Sequence, residues 1–312
     1  HIISDTLFFA SGSMTATDVQ RFLDSKVSNC QGTNGMPCLK DYYAQSTPQL
    51  EANAYCRAYP GGAMSAAQLI VAVSQACGIS PKVLIVMLQK EQSLITSTAP
   101  TRYNYSAALG QGCPDGAPCD PAFAGFFYQV YGAAKQMQVY IKNPRLFGYQ
   151  LGWNNILYQA TPPDYGRVCG TKRVFIENDA TRALYIYTPY TPNQASMNNL
   201  YGTGDFCSTY GNRNFWRIYT DWFGSTRIDV RGRINSTYAA FGGAKSWLGA
   251  VEGDFVCGLA DSGCYRPYAH GRIYASDLTM GVTVAPAIQS AWNSHGAEAG
   301  AFGFPVAEAF LV

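Results

Sequence analysis

Ser80-Pro81-Lys82-Val83-Leu84-Ile85-Val86-Met87-Leu88-Gln89-Lys90-Glu91-Gln92-Ser93-Leu94-Ile95 is the stretch on which the reading of the fold turns. Ser80 is a good helix N-cap, and Pro81 suits the first helical position, where its missing N–H is no loss. From there Leu84, Met87, Leu88 and Ile95 recur at helical spacing, and Glu91 falls within that apolar stripe. A carboxylate on such a face needs a reason. Burial disfavours its charged form. A carboxyl that keeps its proton near neutral pH is what a general acid for glycoside cleavage requires. The plainer alternative is a structural carboxylate held by a partner such as Arg or Tyr.

The flanking sequence surrounds this helix with others. Thr15-Ala16-Thr17-Asp18 opens a helix with Val19, Phe22, Leu23 and Val27 on one side. Ser65-Ala66-Ala67-Gln68 is a capping box for a helix through Cys77, with Gly78 as its stop. Residues 96–124 read as irregular. A long helix then runs from about Gly125 to Lys142 and ends at Asn143-Pro144. Arg173-Val174-Phe175-Ile176 and Ala183-Leu184-Tyr185-Ile186-Tyr187 read as short strands. Thr188 to Asn193, with Pro189 and Pro192, reads as a rigid turn, and Asn214–Gly224 as a closing helix.

Composition narrows the class. The chain has 312 residues and a net charge of +2, which gives no basic footprint for nucleic acid. No apolar run approaches the roughly 20 residues of a membrane span. Ten cysteines with no C-x-x-C pair and only three histidines argue against a metal site, and no cofactor is expected. They argue instead for five disulfides and an oxidising compartment. Local pairs are expected at Cys113–Cys119, Cys257–Cys264 and Cys169–Cys207. Cys30, Cys38, Cys56 and Cys77 supply two more, with three pairings open.

After Gly224 the sequence repeats itself. Ile234, Tyr238, Gly242, Leu248 and Gly249 recur 54 residues on as Ile288, Trp292, Gly296, Phe302 and Gly303. One supersecondary unit used twice, with glycine at its tight turns, is the physical reading. The expected class is α+β: a mainly helical domain with a small β/loop-rich extension over 1–226, and a small repeat module over 227–312.

Residues 76–93 resemble the catalytic helix of the soluble lytic transglycosylase and goose-type lysozyme group, which carries its acid in a "QQES"-like context. Ser106-Ala107-Ala108-Leu109-Gly110-Gln111-Gly112 matches that group's next loop, and Gln129–Met137 its following helix. The three stretches keep the group's order and span about 65–142. Gln92 stands where the group has Ser, with Ser93 displaced by one. The Cys113–Cys119 loop is an addition. The tail resembles LGFP-repeat modules: Phe302-Gly303-Phe304-Pro305 keeps three letters of the signature, and Gly271–Ser276 is similar to the "GxIYWS" stretch.

These resemblances imply a lysozyme-like catalytic domain and a secreted, extracellular or wall-associated monomer. Its expected partners are peptidoglycan glycan strands, and envelope polysaccharide through the repeats. Glu91 is the expected acid for the β-1,4 bond between N-acetylmuramic acid and N-acetylglucosamine. Gln111 would donate to an N-acetyl or hydroxyl group, Ser93 would hydrogen-bond in the cleft, and Tyr187 and Tyr190 would orient Glu91 or stack on a sugar. A muramidase of the inverting type needs a second carboxylate roughly 6.5–9.5 Å from the first. The candidates are Asp115, Asp120, Asp164 and Asp205. A lytic transglycosylase needs none. The alternatives are a non-catalytic envelope-binding or adhesin protein on the same scaffold, and a chitinase.

Overall fold

A computed structural model describes residues 1–114, 117–159 and 169–309. In chain order the helices are α1 (Asp5–Phe8), α2 (Ala16–Lys26), α3 (Ala66–Cys77), α4 (Pro81–Gln92), α5 (Arg102–Ser106), α6 (Phe126–Lys142), α7 (Asp179–Tyr187), α8 (Gln194–Asn198), α9 (Gly211–Phe223), α10 (Val230–Ala240) and α11 (Pro286–Asn293). The strands are β1 (Tyr43–Ala44), β2 (Met64–Ser65), β3 (Gly152–Leu157), β4 (Thr171–Ile176), β5 (Val256–Cys257), β6 (Cys264–Tyr268), β7 (Gly271–Ala275) and β8 (Val282–Val284). The class is α+β, mainly helical with small sheets. The chain divides into two compact units: His1–Ile3 with Leu7–Thr226, and Ser4–Thr6 with the residues from Arg227 onward.

Local chemistry explains the helices of the first unit. Thr15 and Asp18 close a reciprocal capping box on α2, as Ser65 and Gln68 do on α3. Gly78 ends α3 in the left-handed region at φ 68°, where a side chain would be strained. Pro81 starts α4, but Ser80 gives its helix no side-chain bond; its hydroxyl meets Ser13 Oγ at 3.0 Å instead. Val83–Leu88 are wholly buried and join α3, α6 and α7 in one core. The helix stops at Gln92 because Ser93 turns left-handed at φ 52°, so Ile95 is buried beyond the helix rather than on its stripe.

Two segments differ from the sequence expectation. Ala183–Tyr187, expected as a strand, belongs to α7. Asn178 caps that helix by accepting from the Thr181 N–H at 3.0 Å, and Ala180, Ala183 and Leu184 are buried at helical spacing. A short apolar run rich in aromatic residues fits either period. Its cap, outside the run, decides. The partner of β4 is β3, a strand that was not expected, and Trp153 lies directly across from Phe175. All ten cysteines are paired: Cys30–Cys38 and Cys56–Cys77 resolve the open choice, beside Cys113–Cys119, Cys169–Cys207 and Cys257–Cys264.

The second unit is built on the repeat. Strands β5-β6-β7-β8 form an antiparallel sheet. Ile234 of α10 packs with Tyr268, Ile273 and Ala275, while Trp292, in the last turn of α11, packs on Tyr274, which alternates with Ile273 and Ala275 along β7. Each helix is followed by a left-handed glycine, Gly242 at φ 101° and Gly296 at φ 89°. Each then folds its loop back by the same bond: Tyr238 donates to Gly249 O at 2.9 Å, and Trp292 Nε1 donates to Gly303 O at 3.1 Å. The burial is unequal. Ile234 and Leu248 are wholly buried, whereas their counterparts Ile288 and Phe302 are 44% and 67% exposed. Ile234→Ala is therefore expected to cost about 2–4 kcal/mol, and Ile288→Ala less than about 1 kcal/mol. Urea unfolding of the two variants checks this; equal losses would contradict the unequal burial.

Candidate active site

Glu91 lies in the last turn of α4, where the apolar stripe reaches the surface. Its side chain is 28% exposed, at the rim of the core rather than inside it. Oε1 is held twice. Lys90 Nζ is 2.8 Å away, and the Tyr187 hydroxyl 2.9 Å away. Among the described residues no side chain or backbone group bonds Oε2. One carboxylate oxygen is thus fixed and the other is not.

The Lys90 contact is not among the sequence expectations, which gave Glu91 an Arg or a Tyr as partner. Adjacent residues on a helix do not face each other, so spacing gave no reason to pair Lys90 with Glu91. The lysine bends back because α7 receives it. Its ammonium donates to Thr188 Oγ1 at 3.1 Å and lies 4.7 Å from the centre of the Tyr187 ring. The side chain is only 7% exposed. A buried ammonium needs such partners.

Tyr187 connects the acid to the facing loop. Its hydroxyl also lies 2.8 Å from Leu109 O. Burial first, and then the neighbouring Glu91, push its pKa well above the ordinary phenol value. It therefore stays a neutral hydroxyl with one proton to give. With an ionised Glu91 that proton serves one of its two acceptor neighbours at a time.

The loop is pinned from below by Gln129 of α6, a wholly buried side chain. Its Oε1 accepts from the N–H groups of Leu109 and Gln111 at 3.0 and 3.1 Å. Its Nε2 donates to Gln111 O and Phe123 O at 2.7 and 2.8 Å. All four hydrogen-bonding positions of the amide are filled. Gly132, one turn along α6, gives the Gln111 side chain its place: a Cβ there would come 2.7 Å from Gln111 Cγ. Neither Gln129 nor Gly132 was singled out from sequence. A glycine inside a helical pattern was the available signal of close approach.

The other expected site residues spread out. Gln111 is on the facing loop, but its backbone makes the loop's bonds and its side chain packs over Gly132. Ser93 is the exposed left-handed cap of α4, and its N–H donates to Gln89 O at 3.0 Å. Tyr190 is held through its backbone, bridging to Leu157 and accepting from Asn212 Nδ2 at 3.0 Å. Of these expected residues, only Tyr187 has a hydrogen bond to Glu91 among the described residues. Gln92 ties the end of α4 to α5 by accepting from Asn104 Nδ2 at 2.9 Å.

Two candidate second carboxylates are occupied elsewhere. Asp120 accepts from the Ala122 N–H at 2.9 Å, closing a turn. Asp205 Oδ1 accepts from Asn193 Nδ2, the Cys207 N–H and Ser208 Oγ at 2.7, 3.0 and 3.0 Å. The side-chain bonds from Asn193 and Ser208 lower its pKa below the ordinary carboxylate value. It braces the Cys169–Cys207 disulfide loop. Asp115 and Asp164 lie outside the described residues.

Residues 248–300 match the LGFP repeat. No curated protein matches the chain. The LGFP repeat starts on Leu248-Gly249 of the first internal copy and includes β6 and β7. The signature-like Phe302-Gly303-Phe304-Pro305 lies beyond its matched residues. An LGFP repeat and five disulfides suggest an extracellular or cell-surface protein with an envelope-associated module. No single described helix is long and apolar enough to cross a membrane.

Gln129→Ala should strip partners from two buried N–H groups and two carbonyls at once. We expect a loss of at least about 2 kcal/mol, together with faster hydrogen exchange at the Leu109 and Gln111 amides. Unchanged exchange at those amides would show that the loop is held by something else.

Proposed function

We propose that the chain is a secreted peptidoglycan-cleaving enzyme acting on the β-1,4 bond between N-acetylmuramic acid and N-acetylglucosamine. Glu91 is its general acid, and the LGFP repeat attaches it to the cell envelope. The observation that carries this reading is the asymmetry of Glu91: Oε1 is fixed by Lys90 and Tyr187, while Oε2 is without a partner among the described residues. A proton donor must be held in place and still reach its acceptor.

Glu91 Oε2 gives its proton to the glycosidic oxygen as the C–O bond breaks through an oxocarbenium-like state. Tyr187 keeps its own proton throughout and fixes the direction of the carboxyl plane. Lys90 stabilises the carboxylate that remains after transfer. In a lytic transglycosylase the muramoyl 6-hydroxyl then attacks the anomeric carbon, and the same carboxylate takes the hydroxyl proton. In a muramidase a water attacks with the help of a second carboxylate.

A second reading, a non-catalytic envelope-binding protein on this scaffold, draws on the Lys90 ion pair. A buried ammonium with its own carboxylate is a self-sufficient structural pair. The chitinase alternative draws on no observation of this structure. Glu91→Gln separates the first two. The amide keeps the size and the Tyr187 contact but has no acidic proton. We expect loss of at least about a hundredfold in clearing of a peptidoglycan suspension, in a variant whose circular dichroism shows the fold retained although its thermal midpoint falls with the lost charge partner of Lys90. A wild-type chain that sediments with the wall and never clears it would favour the second reading.

A further inference from the structure

We propose that the outward face of the β3–β4 hairpin is a binding platform for the carboxylate-bearing amino-sugar strand on which Glu91 acts, with Trp153, Phe175 and Arg173 as its contact residues. This inference rests on the glycan-cleaving reading of Glu91. The hairpin has two unlike faces. Ile156 and Ile176 are buried in the core. On the other face Trp153 is 60% and Phe175 48% exposed, and Leu157 lies beside them in the strand.

A single exposed apolar residue needs no explanation. Here two aromatic residues are directly paired across the strands, with ring centres 5.3 Å apart and planes at 73°. The Arg173 guanidinium lies 4.5 Å over the indole of Trp153, and Asn155 is its cross-strand neighbour. Stacking on the indole restricts the guanidinium while leaving its N–H edge for other partners. The face therefore combines a rigid aromatic surface for the C–H side of a pyranose, a forked donor for a carboxylate, and an amide for an N-acetyl group.

Position and charge select the occupant. The Thr191 N–H donates to Leu157 O at 2.9 Å, so β3 ends on the segment that follows Tyr187 and Thr188, the two α7-side partners of the Lys90–Glu91 pair. Trp153 stands four residues along the strand from Leu157, ~13 Å at the usual strand rise. On the proposal, a glycan held at Glu91 runs along β3 to reach it. Neither strand carries an acidic residue, and Arg173 gives the outward face a positive charge, while Lys172, across from Ile156, belongs to the other face. That charge suits a strand whose lactyl or stem-peptide groups are carboxylates.

The test uses the full chain carrying Glu91→Gln, so that ligand is not consumed. Binding is measured by co-sedimentation with peptidoglycan stripped of attached polymers, and by calorimetry with N-acetylglucosamine hexamer. We expect Trp153→Ala and Phe175→Ala each to weaken both interactions at least tenfold with an unchanged thermal midpoint. Arg173→Ala should weaken peptidoglycan binding more than hexamer binding. Undiminished affinity in Trp153→Ala overturns the platform even if the wild-type chain cleaves the wall. So does the absence of binding to either probe, or a Trp153 dependence seen only with anionic lipid vesicles. Trp153-dependent binding by a wild-type chain that releases no fragments would instead keep the platform and remove the catalytic reading.

Discussion

A single buried amide holds the candidate site together. Gln129 gives one N–H proton to Gln111 O and the other to Phe123 O, and takes the N–H groups of Leu109 and Gln111 in return, so three of its four bonds go to the loop that faces Glu91. That loop has no regular structure to satisfy its own backbone. Without the amide, its polar groups would need water or would be buried unpaired, each at a cost of about 1–3 kcal/mol. With the amide, Leu109 becomes a fixed point, and its carbonyl is then available to Tyr187. The chain of dependence runs from α6 through Gln129 to Leu109, through Tyr187 of α7, and ends on Glu91 of α4.

This arrangement separates two demands that usually conflict. A carboxyl that must transfer a proton needs a fixed direction and an exposed oxygen. Here the fixing is done through Oε1 by Lys90 and Tyr187, and exposure is left to Oε2. The second unit is a separate construction with its own logic. Its helix–glycine–loop element is used twice around one sheet, and the loop is latched each time by a ring donor on the helix, Tyr238 in one copy and Trp292 in the other.

Much of this was legible before any coordinates. The capping boxes at Thr15 and Ser65, the glycine stop at Gly78 and the proline start at Pro81 are local rules, and they set α2, α3 and α4 within a residue or two. The cysteine spacings pointed to three disulfides; the remaining two needed a fold. What sequence could not supply was long-range partnership. Lys90 reaches Glu91 only because Thr188, far along the chain, receives its ammonium. Gln129 looks like an ordinary helical glutamine until the loop it binds is folded over it. The segment Ala183–Tyr187 carried a strand-like composition, and only the Asn178 cap reveals the helix. Tyr187, expected on a strand, reaches Glu91 from the end of a helix.

The central claim is that the free oxygen of Glu91 delivers a proton to a departing sugar. Mass spectrometry of purified murein incubated with the chain tests it most directly. The account predicts new muramoyl ends, 1,6-anhydro if the single-acid route operates and reducing if water is the acceptor, and none with Glu91→Gln. Intact murein after incubation with a folded wild-type chain, or equal fragment release by the Glu91→Gln variant, would contradict it.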